Sequence, residues 1–539
     1  MRIVKQLGLL FSALILPLAM QAQEKGLDDL INEKFDPIAT AWEHLVLYPV
    51  TIAGLDIPIV LILLVIGAGF FTIYFQFPNI LKFPLAINVV RGKYDSLEGP
   101  PHVEKGAQVN IKDDGDIVGT IKDEGHHGEV SHFQALATAV SGTVGLGNIA
   151  GVAVAIAVGG PGATFWMIVC GLIGMSTKFV ECTLGVKYRD VAADGTVYGG
   201  PMYYLSRGFA ERGLGGFGKV LAVLFAVMCV GASLGGGNAF QSNQAASQIM
   251  TMLELQGGAS GVIIGIIIAV VVAIVIIGGI KRIASVTGRI VPFMAVIYVI
   301  GALIIIGVNI SYVDEAFALI FSEAFKLQSA FGGIIGVIIV GFQRAAFSNE
   351  AGAGSAAIAH SAVRTKYPAS EGIVALLEPF IDTVLICTMT ALVIIFFNMG
   401  EVFPYGDVVN SEVLIDGQRV GGVDLTSRAF NSVLPGFSYV LTVAIILFAF
   451  STMISWSYYG LQSWKYLFGR GKAADMTYKI LFLAFVVIGA AISLDAVIKF
   501  SDAMILALVF PNMIGLLFLF PNVKKEMRRY LQAIKSMAS

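Results

Sequence analysis

Two stretches of this 539-residue chain place ligand-capable residues inside sequence apolar enough to cross a bilayer. The first, Ala139–Ile156, reads AVSGTVGLGNIAGVAVAI, with Gly142, Gly145, Gly147 and Asn148 at its centre. Glycine and asparagine weaken a helix and leave backbone N–H and C=O groups free. At membrane depth, such groups are tolerated only where they line a cavity or bind something. Half-helix N-termini then face anions and unwound carbonyls face cations, as in secondary transporters. The competing reading is a glycine-rich packing face, because small residues also let helices approach closely. The second stretch, QRAAFSNEAGAGS over 343–355, interrupts another apolar segment with Arg344, Ser348, Asn349 and Glu350. A third pair, Ser451 and Thr452, puts two hydroxyls in the middle of a further apolar run.

The elements that position these residues must be membrane helices. The hydrophobic share is 56%, charged residues are 13%, and the mean hydropathy is +0.81, far from a soluble average. A net charge of −2 with no basic tract gives no sign of a nucleic-acid partner. Cys170, Cys182, Cys229 and Cys387 all lie in apolar segments at no metal or disulfide spacing. They read as packing residues.

Residues 1–23 carry Arg2 and Lys5, the apolar run Leu7–Met20, and then Gln21-Ala22-Gln23. That is a secretory signal pattern, with an uncleaved anchor as the alternative. Residues 24–51 form a polar extracytoplasmic segment, and 52–77 read as a first membrane helix ending at Pro78. Residues 91–129 are a polar cytoplasmic insertion in which alternation over 109–111 and 117–121 suggests a small β-hairpin. His126 and His127 in it read as solvated loop residues rather than a metal pair.

Windows of about 20 residues then give ten further spans. They cover roughly 131–158, 160–187, 218–250, 258–280, 290–310, 331–363, 370–397, 437–468, 476–498 and 503–520, with 523–539 as a tail. The fourth span of the eleven carries a polar interruption, GGGNAFQSNQ, over 235–244. Alternate loops hold Arg189, Arg207, Arg212, Lys281, Arg282, Arg364, Lys366, Arg470 and Lys472, and the tail adds Lys524, Lys525, Arg528 and Arg529. Cations mark cytoplasmic loops, so the N-terminus is expected outside and the C-terminus in the cytoplasm of a bacterial-type inner membrane. With the first span set aside, ten remain, and each broken span opens a group of five: 130–310 and 326–522. An odd number of spans per group inverts the second copy, and matching breaks in inverted halves point to a transporter binding site.

The runs VGLGNIAGVAVAIAVGGPGATFW, MSTKFVECTLGVKYR, VYGGPMYYL, FSNEAGAGSAAIAHS and FSTMISWSYYG resemble the alanine or glycine:cation symporter family. The resemblance extends from Val130 nearly to the C-terminus. It implies an all-α membrane protein with the LeuT-type 5+5 inverted repeat, preceded by one extra helix. Leu146 stands where the family often has Ser or Thr, and Ala353 where Met is common.

By the same resemblance, the backbone N–H groups of Leu146 and Gly147 face a substrate carboxylate, as free amides at a helix N-terminus favour anions. The ammonium asks for acceptors, for which carbonyls of Ser141–Thr143 and of Phe347, Ser348 and Asn349 are candidates. Phe347 and Trp456 read either as pocket walls or as ordinary packing. Gln241 and Asn243 face a choice between substrate contact and interhelical bonding. Asn148 can ligate an ion or cap the half-helix after the break. Sodium, a hard cation, takes oxygen ligands. The resemblance implies the side chains of Ser451 and Thr452 with the carbonyls of Ser141 and Val144; back-bonding of the hydroxyls to their own helix is the alternative.

Ionisable residues inside spans default to functional hypotheses. Lys178 and Glu181 are expected to neutralise each other across one helical turn, and Arg344 and Glu350 to form a gating pair or to snorkel. Glu378 and Asp382 lie one turn apart with no cation between them. An intramembrane enzyme lacks support: there is no HExxH, and His360 near the end of the seventh span is the closest candidate. A channel would need a continuous filter, which two breaks do not make. The reading is sodium-coupled import of small neutral amino acids, alanine or glycine. Proton coupling is the alternative, and no organic cofactor or obligate protein partner is expected.

Overall fold

A computed structural model describes residues 26–52, 55–98, 128–192, 195–255, 258–277, 279–326 and 333–538. The expected signal segment 1–23 lies outside the described residues, as do 99–127 of the expected insertion, with its hairpin and its two histidines. The chain is helical almost throughout. Among the described residues, seven helices are long and apolar enough to cross a membrane, and a bent pair makes an eighth. Ile59–Tyr74, Ser260–Ile276 and Gly333–Asn349 are shorter apolar helices. The protein is a multi-pass membrane protein.

The polar segment after the signal region forms a helix, α1 (Leu27–Val46), which packs on a helix near the C-terminus and buries Leu30, Ala39 and Val46. A hairpin, β1 (Pro49–Ile52) with β2 (Leu55–Pro58), follows, so the first apolar helix, α2 (Ile59–Tyr74), starts later than the expected residue 52. Pro58, fixed near helical φ, sits at its N-cap, and Thr51 bonds Asp56 across the hairpin at 2.6 Å. A short helix, α3 (Phe83–Val90), leads towards the undescribed loop.

The first broken span is α4 (His132–Thr143) and α5 (Ala150–Gly159), joined by a one-turn 3-10 segment and bent by 55°. Ser131 starts α4 with a capping box: its hydroxyl accepts the Gln134 N–H, and Gln134 accepts the Ser131 N–H. Gly160 at φ +68° ends α5, and Pro161 opens α6 (Gly162–Lys187). Then come the pair β3 (Asp190–Val191) and β4 (Val197–Tyr198), α7 (Pro201–Ala210) and the long α8 (Gly215–Met252). The polar interruption in α8 does not break it. Gly235–Ala239 is a π-helical bulge within a continuous rod.

The sequence continues through α9 (Ser260–Ile276), α10 (Gly279–Val308) and α11 (Val313–Ala324) to the second broken span, α12 (Gly333–Asn349) and α13 (Ala356–His360). Its break holds Glu350, Gly352 and Gly354, all at positive φ. After α14 (Pro368–Asn398) the chain forms the hairpin β5 (Glu412–Ile415) and β6 (Gln418–Gly421), then the amphipathic α15 (Gly422–Val433). The Val423 N–H donates to Gln244 on α8 at 2.8 Å, and the Thr426 hydroxyl to the Ile149 carbonyl at 3.1 Å.

Helices α16 (Phe437–Phe468), α17 (Lys472–Ala491), α18 (Leu494–Ala507) and α19 (Val509–Ala538) complete the fold. The expected boundary between the last two spans moves: the break falls at Ile492–Ser493, where Ser493 caps α18 through the Ala496 N–H. The expected tail 523–539 is a continuation of α19 through residue 538.

Helix α6 lies against α2, α11, α12, α13 and α14, while α16 packs on α4, α8 and α10. Close approach is set by small residues. A Cβ at Gly489 on α17 would lie 2.4 Å from the Ala239 Cα of α8, inside contact distance. Gly489→Ala is therefore expected to destabilise by about 1–3 kcal/mol. Gly216→Ala, with nothing within 4 Å of the added carbon, is expected to be neutral or slightly stabilising. Thermal unfolding in detergent reads both, and equal midpoints for the two variants would refute the packing assignment.

Candidate substrate and ion site

The two breaks and three hydroxyl-bearing turns meet in one buried region. At the first break, Val144 ends α4 and Gly145 adopts an extended conformation. Asn148 reaches back, so that its side-chain oxygen accepts the Gly145 N–H at 2.9 Å. It therefore satisfies part of the broken helix. The same Asn148 amide donates to Asp382 on α14, at 2.6 Å to the carboxylate and 3.1 Å to the carbonyl. The other carboxylate oxygen of Asp382 accepts from Ser348 at 2.8 Å and from Thr383 at 2.6 Å. Asn349 donates to the Thr383 hydroxyl at 2.9 Å and accepts the Ala351 N–H at 2.9 Å. One fully buried carboxylate thus joins the first break, the second break and α14 through neutral partners.

A second cluster ties the first half-helix to α16. The Thr452 hydroxyl donates to the Ser141 carbonyl at 3.0 Å, the Ser141 hydroxyl to the Ser451 carbonyl at 2.9 Å, and the Ser455 hydroxyl to Ser141 Oγ at 2.9 Å. Of the expected ion ligands, Ser141 and Thr452 come together. The Ser451 hydroxyl instead donates to its own helix at Phe448, 3.0 Å away. The Thr143 hydroxyl likewise turns back on α4. Both follow the local back-bonding preference of hydroxyls in helices.

The Leu146 N–H donates to Gln241 Oε1 at 3.0 Å, and Gln241 Nε2 donates to the Gly236 carbonyl at 2.9 Å. Gln241 therefore sits at the backbone group expected to face a carboxylate. Asn243 points away, bonding the carbonyls of Gly489 and Ile492 on α17, so its role is interhelical. The Phe347 ring lies beside Gly147, where an added Cβ would be 3.4 Å away, and edge-on to Phe240 at 5.1 Å. Trp456 lies against Gly237, and its indole donates to Glu350 at 3.0 Å.

Two expected ionic pairings are replaced. Lys178 pairs with Glu378 at 3.0 Å, not with Glu181. Glu181 accepts the Gly352 N–H at 2.9 Å and the Asn512 amide at 2.8 Å, serving the unwound backbone of the second break. Arg344 pairs with Asp502 on α18 and lies over the Phe347 ring, whereas Glu350 accepts from Ser355 and Trp456. The neighbour across the bundle wins each time because helical spacing alone ranks partners within one element.

Sequence reading missed Asp382 as a site residue, together with Ser455 and Tyr459. Asp382 carried the signal of an unpaired carboxylate inside a span. Ser455 stands one turn after Ser451 and Thr452, on the same face. The buried Tyr459 hydroxyl has no hydrogen-bond partner among the described residues and would meet a Cβ at Gly142 at 3.0 Å. An orphaned donor beside a broken helix fits a region that receives a polar ligand.

Two broken helices that share a buried carboxylate and present backbone groups inside an apolar bundle define a secondary transporter. The chain belongs to the sodium:alanine symporter family, whose sequence profile matches residues 46–539. It is 40% identical over 418 residues to the sodium/alanine symporter AgcS of Methanococcus maripaludis, covering 77% of this chain and 88% of that protein. The putative sodium/proton-dependent alanine carrier YrbD of Bacillus subtilis is 38% identical over 75% of this chain and 81% of its own. The probable sodium/glutamine symporter GlnT of the same organism is 33% identical over 76% and 80%. Among solved structures, MhsT in complex with L-phenylalanine aligns with a TM-score of 0.48 and 15% identity, over 74% of this chain and 100% of that one. The protein is an amino-acid:cation symporter, and the family and these relatives are transporters.

The tightest contact at the first break is between Gly145 and Thr452, since a Cβ at Gly145 would lie 2.3 Å from Thr452 Oγ1. Gly145→Ala is expected to lower the unfolding temperature, and adding Thr452→Ala to recover at least half of that loss, a coupling expected only of residues in contact. Additive shifts in the double variant would sink this assignment.

Proposed function

We propose that this protein imports small neutral amino acids, alanine or glycine, together with sodium by alternating access. The observation that carries the reading is the convergence of both breaks on Asp382 and of the first break on Thr452. Oxygen-rich clusters at the ends of half-helices suit a hard monovalent cation. One cation is held by the Ser141 carbonyl and Thr452 hydroxyl, with Val144 and Ser451 contributing as the half-helix adjusts. A second oxygen set is Asp382, Asn148, Ser348 and Thr383. The substrate carboxylate competes with Gln241 for the Leu146 N–H, and the Gly147 backbone permits its close approach. Phe347 and Trp456 limit the side chain to a small one, while the Tyr459 hydroxyl and the carbonyls at 141–143 and 347–349 serve the remaining polar atoms.

In this reading eleven helices cross the bilayer: α2 first, then the inverted groups 130–310 and 326–522. The N-terminus lies outside an inner membrane after signal removal, and the ends of the spans rich in Arg and Lys face the cytoplasm. This orientation follows the cation bias of the loops.

The test is radiolabelled alanine uptake into proteoliposomes under an inward sodium gradient, with a potassium control at equal pH. Uptake above equilibrium with sodium alone is expected. Thr452→Ala is expected to raise the sodium concentration for half-maximal uptake about tenfold, the loss of roughly one good ligand worth ~1.4 kcal/mol. Asp382→Asn is expected to abolish concentrative uptake. Uptake driven equally well by a proton gradient without sodium would move the coupling to a carboxylate, and no uptake of alanine or glycine would show the substrate to be wrong.

A further inference from the structure

Five ionisable side chains form one buried chain outside the cluster around Asp382. His132 at the start of α4 contacts Glu371 on α14 through Nδ1. The other oxygen of Glu371 meets His360 Nδ1 at 2.5 Å. His360 Nε2 lies 3.5 Å from Glu378 Oε2, and Glu378 Oε1 takes the Lys178 ammonium of α6 at 3.0 Å. All five are buried, and all but His132 completely so. His132 and His360 belong to the two different half-helices, and Glu371 is their shared acceptor. Beside them the backbones of the same two half-helices are pinned: Val130 pairs with Val363, the Glu129 N–H donates to Ala362 at 2.7 Å, and the Arg364 N–H to Val130 at 2.9 Å.

Charge counting decides what this chain holds. With both imidazoles neutral, Glu371 and Glu378 face Lys178 alone among these five and leave one uncompensated negative charge. With one proton on the two imidazoles the five residues sum to zero, and His360, whose two ring nitrogens each face a carboxylate, is where it is best held. Uncompensated buried charge is strongly disfavoured. Other ionisable groups nearby are Glu181 and Cys182 on α6, Glu350 in the second break and Tyr459 on α16. Helix α3, which packs on α4 and α14, carries no ionisable side chain, and α19 brings Tyr530 and Arg529 against Tyr367, ahead of Glu371. Glu181 and Glu350 are carboxylates, and the buried Arg189 guanidinium donates to the carbonyls of Ser361 and Val363 just past α13.

We propose that the His132–Glu371–His360 group is a proton-binding site, loaded from the side of the Arg- and Lys-rich loops, that latches the two half-helices together at that end. A proton on His360 closes the latch; its release leaves the unpaired charge and favours separation of α4 from α13. Cytoplasmic loading rests on the orientation proposed above, whereas the latch itself does not.

The test reads opening without any substrate. Thr138, buried on α4, is replaced by Cys in the full-length protein in nanodiscs. Maleimide labelling is followed from about pH 6 to about pH 9, the range in which imidazole titrates. The parent chain with its four buried native cysteines gives the background, and a Ser536→Cys chain on the exposed end of α19 corrects for thiol reactivity. The corrected rate is expected to rise several-fold with pH in Thr138→Cys. His360→Gln, which keeps a donor but takes no proton, is expected to label fast at every pH. Glu371→Gln is expected to lose the pH response too and serves if the first variant does not fold. A flat profile in Thr138→Cys, or an unchanged pH response in either variant, overturns the proposal. Failure of alanine uptake would overturn only the substrate reading and leave these labelling results to be judged separately.

Discussion

Everything in this fold answers one demand: a helix interrupted inside hydrocarbon must have its released N–H and C=O groups satisfied by other parts of the chain. The first break is satisfied by Asn148 and Gln241, which accept the N–H groups of Gly145 and Leu146, and by Thr452, which donates to the Ser141 carbonyl. The second is satisfied by Glu181 and Asn512, the latter donating to the Gly352 carbonyl at 2.8 Å. None of these partners lies on a neighbouring turn except Asn148. Polar residues of α6, α8, α16 and α19 therefore serve the backbone of other helices, which is why they are buried. In the proposed site a substrate or ion uses the same set of groups, so binding there amounts to exchanging internal partners for external ones.

Charges follow the same economy of partners. Each buried carboxylate is either matched to a cation on another helix, as Glu378 to Lys178 and Asp502 to Arg344, or surrounded by neutral donors, as Asp382 is. Breaking a buried pair costs about 3–5 kcal/mol, so the pairs that span different helices hold relative positions far more firmly than apolar contact between lipid-like side chains does. The helices joined this way are α6 with α14 and α12 with α18. Any motion of these helices has to respect those links or exchange them.

Much of this was legible in the sequence for a physical reason: interruptions in long apolar runs stand out against a uniform background. The two breaks, their polar content and the hydroxyls of α16 were read from composition alone, and the long motifs placed the family. The structure brings Ser141 to Thr452 and Ser348 to the same carboxylate as Asn148. What could not be read is which partner a side chain selects across the bundle. Lys178 has Glu181 one turn away and pairs with Glu378, 200 positions distant in sequence. The polar interruption at 235–244 holds a π bulge over 235–239 rather than a break; an extra residue accommodated within a helix and a true unwinding share the same glycine-rich signature. The helix over 27–46 was hidden by its polarity, since its stability comes from packing on α18 rather than from an apolar stretch.

The segment between β6 and α16 has a mechanical consequence of its own. Through Val423 and Thr426 it is bonded at once to α8 and to the carbonyl of Ile149, the residue just before α5. A further bond from Ser247 of α8 to Asp424 at 2.8 Å fixes its near end. α15 is thus a strut of fixed length between a continuous rod and the outgoing half of a broken one. The two attachments, Val423 and Thr426, lie three residues apart on this one helix, so the spacing of a single helical turn is a dimension of the machine rather than slack in a connection.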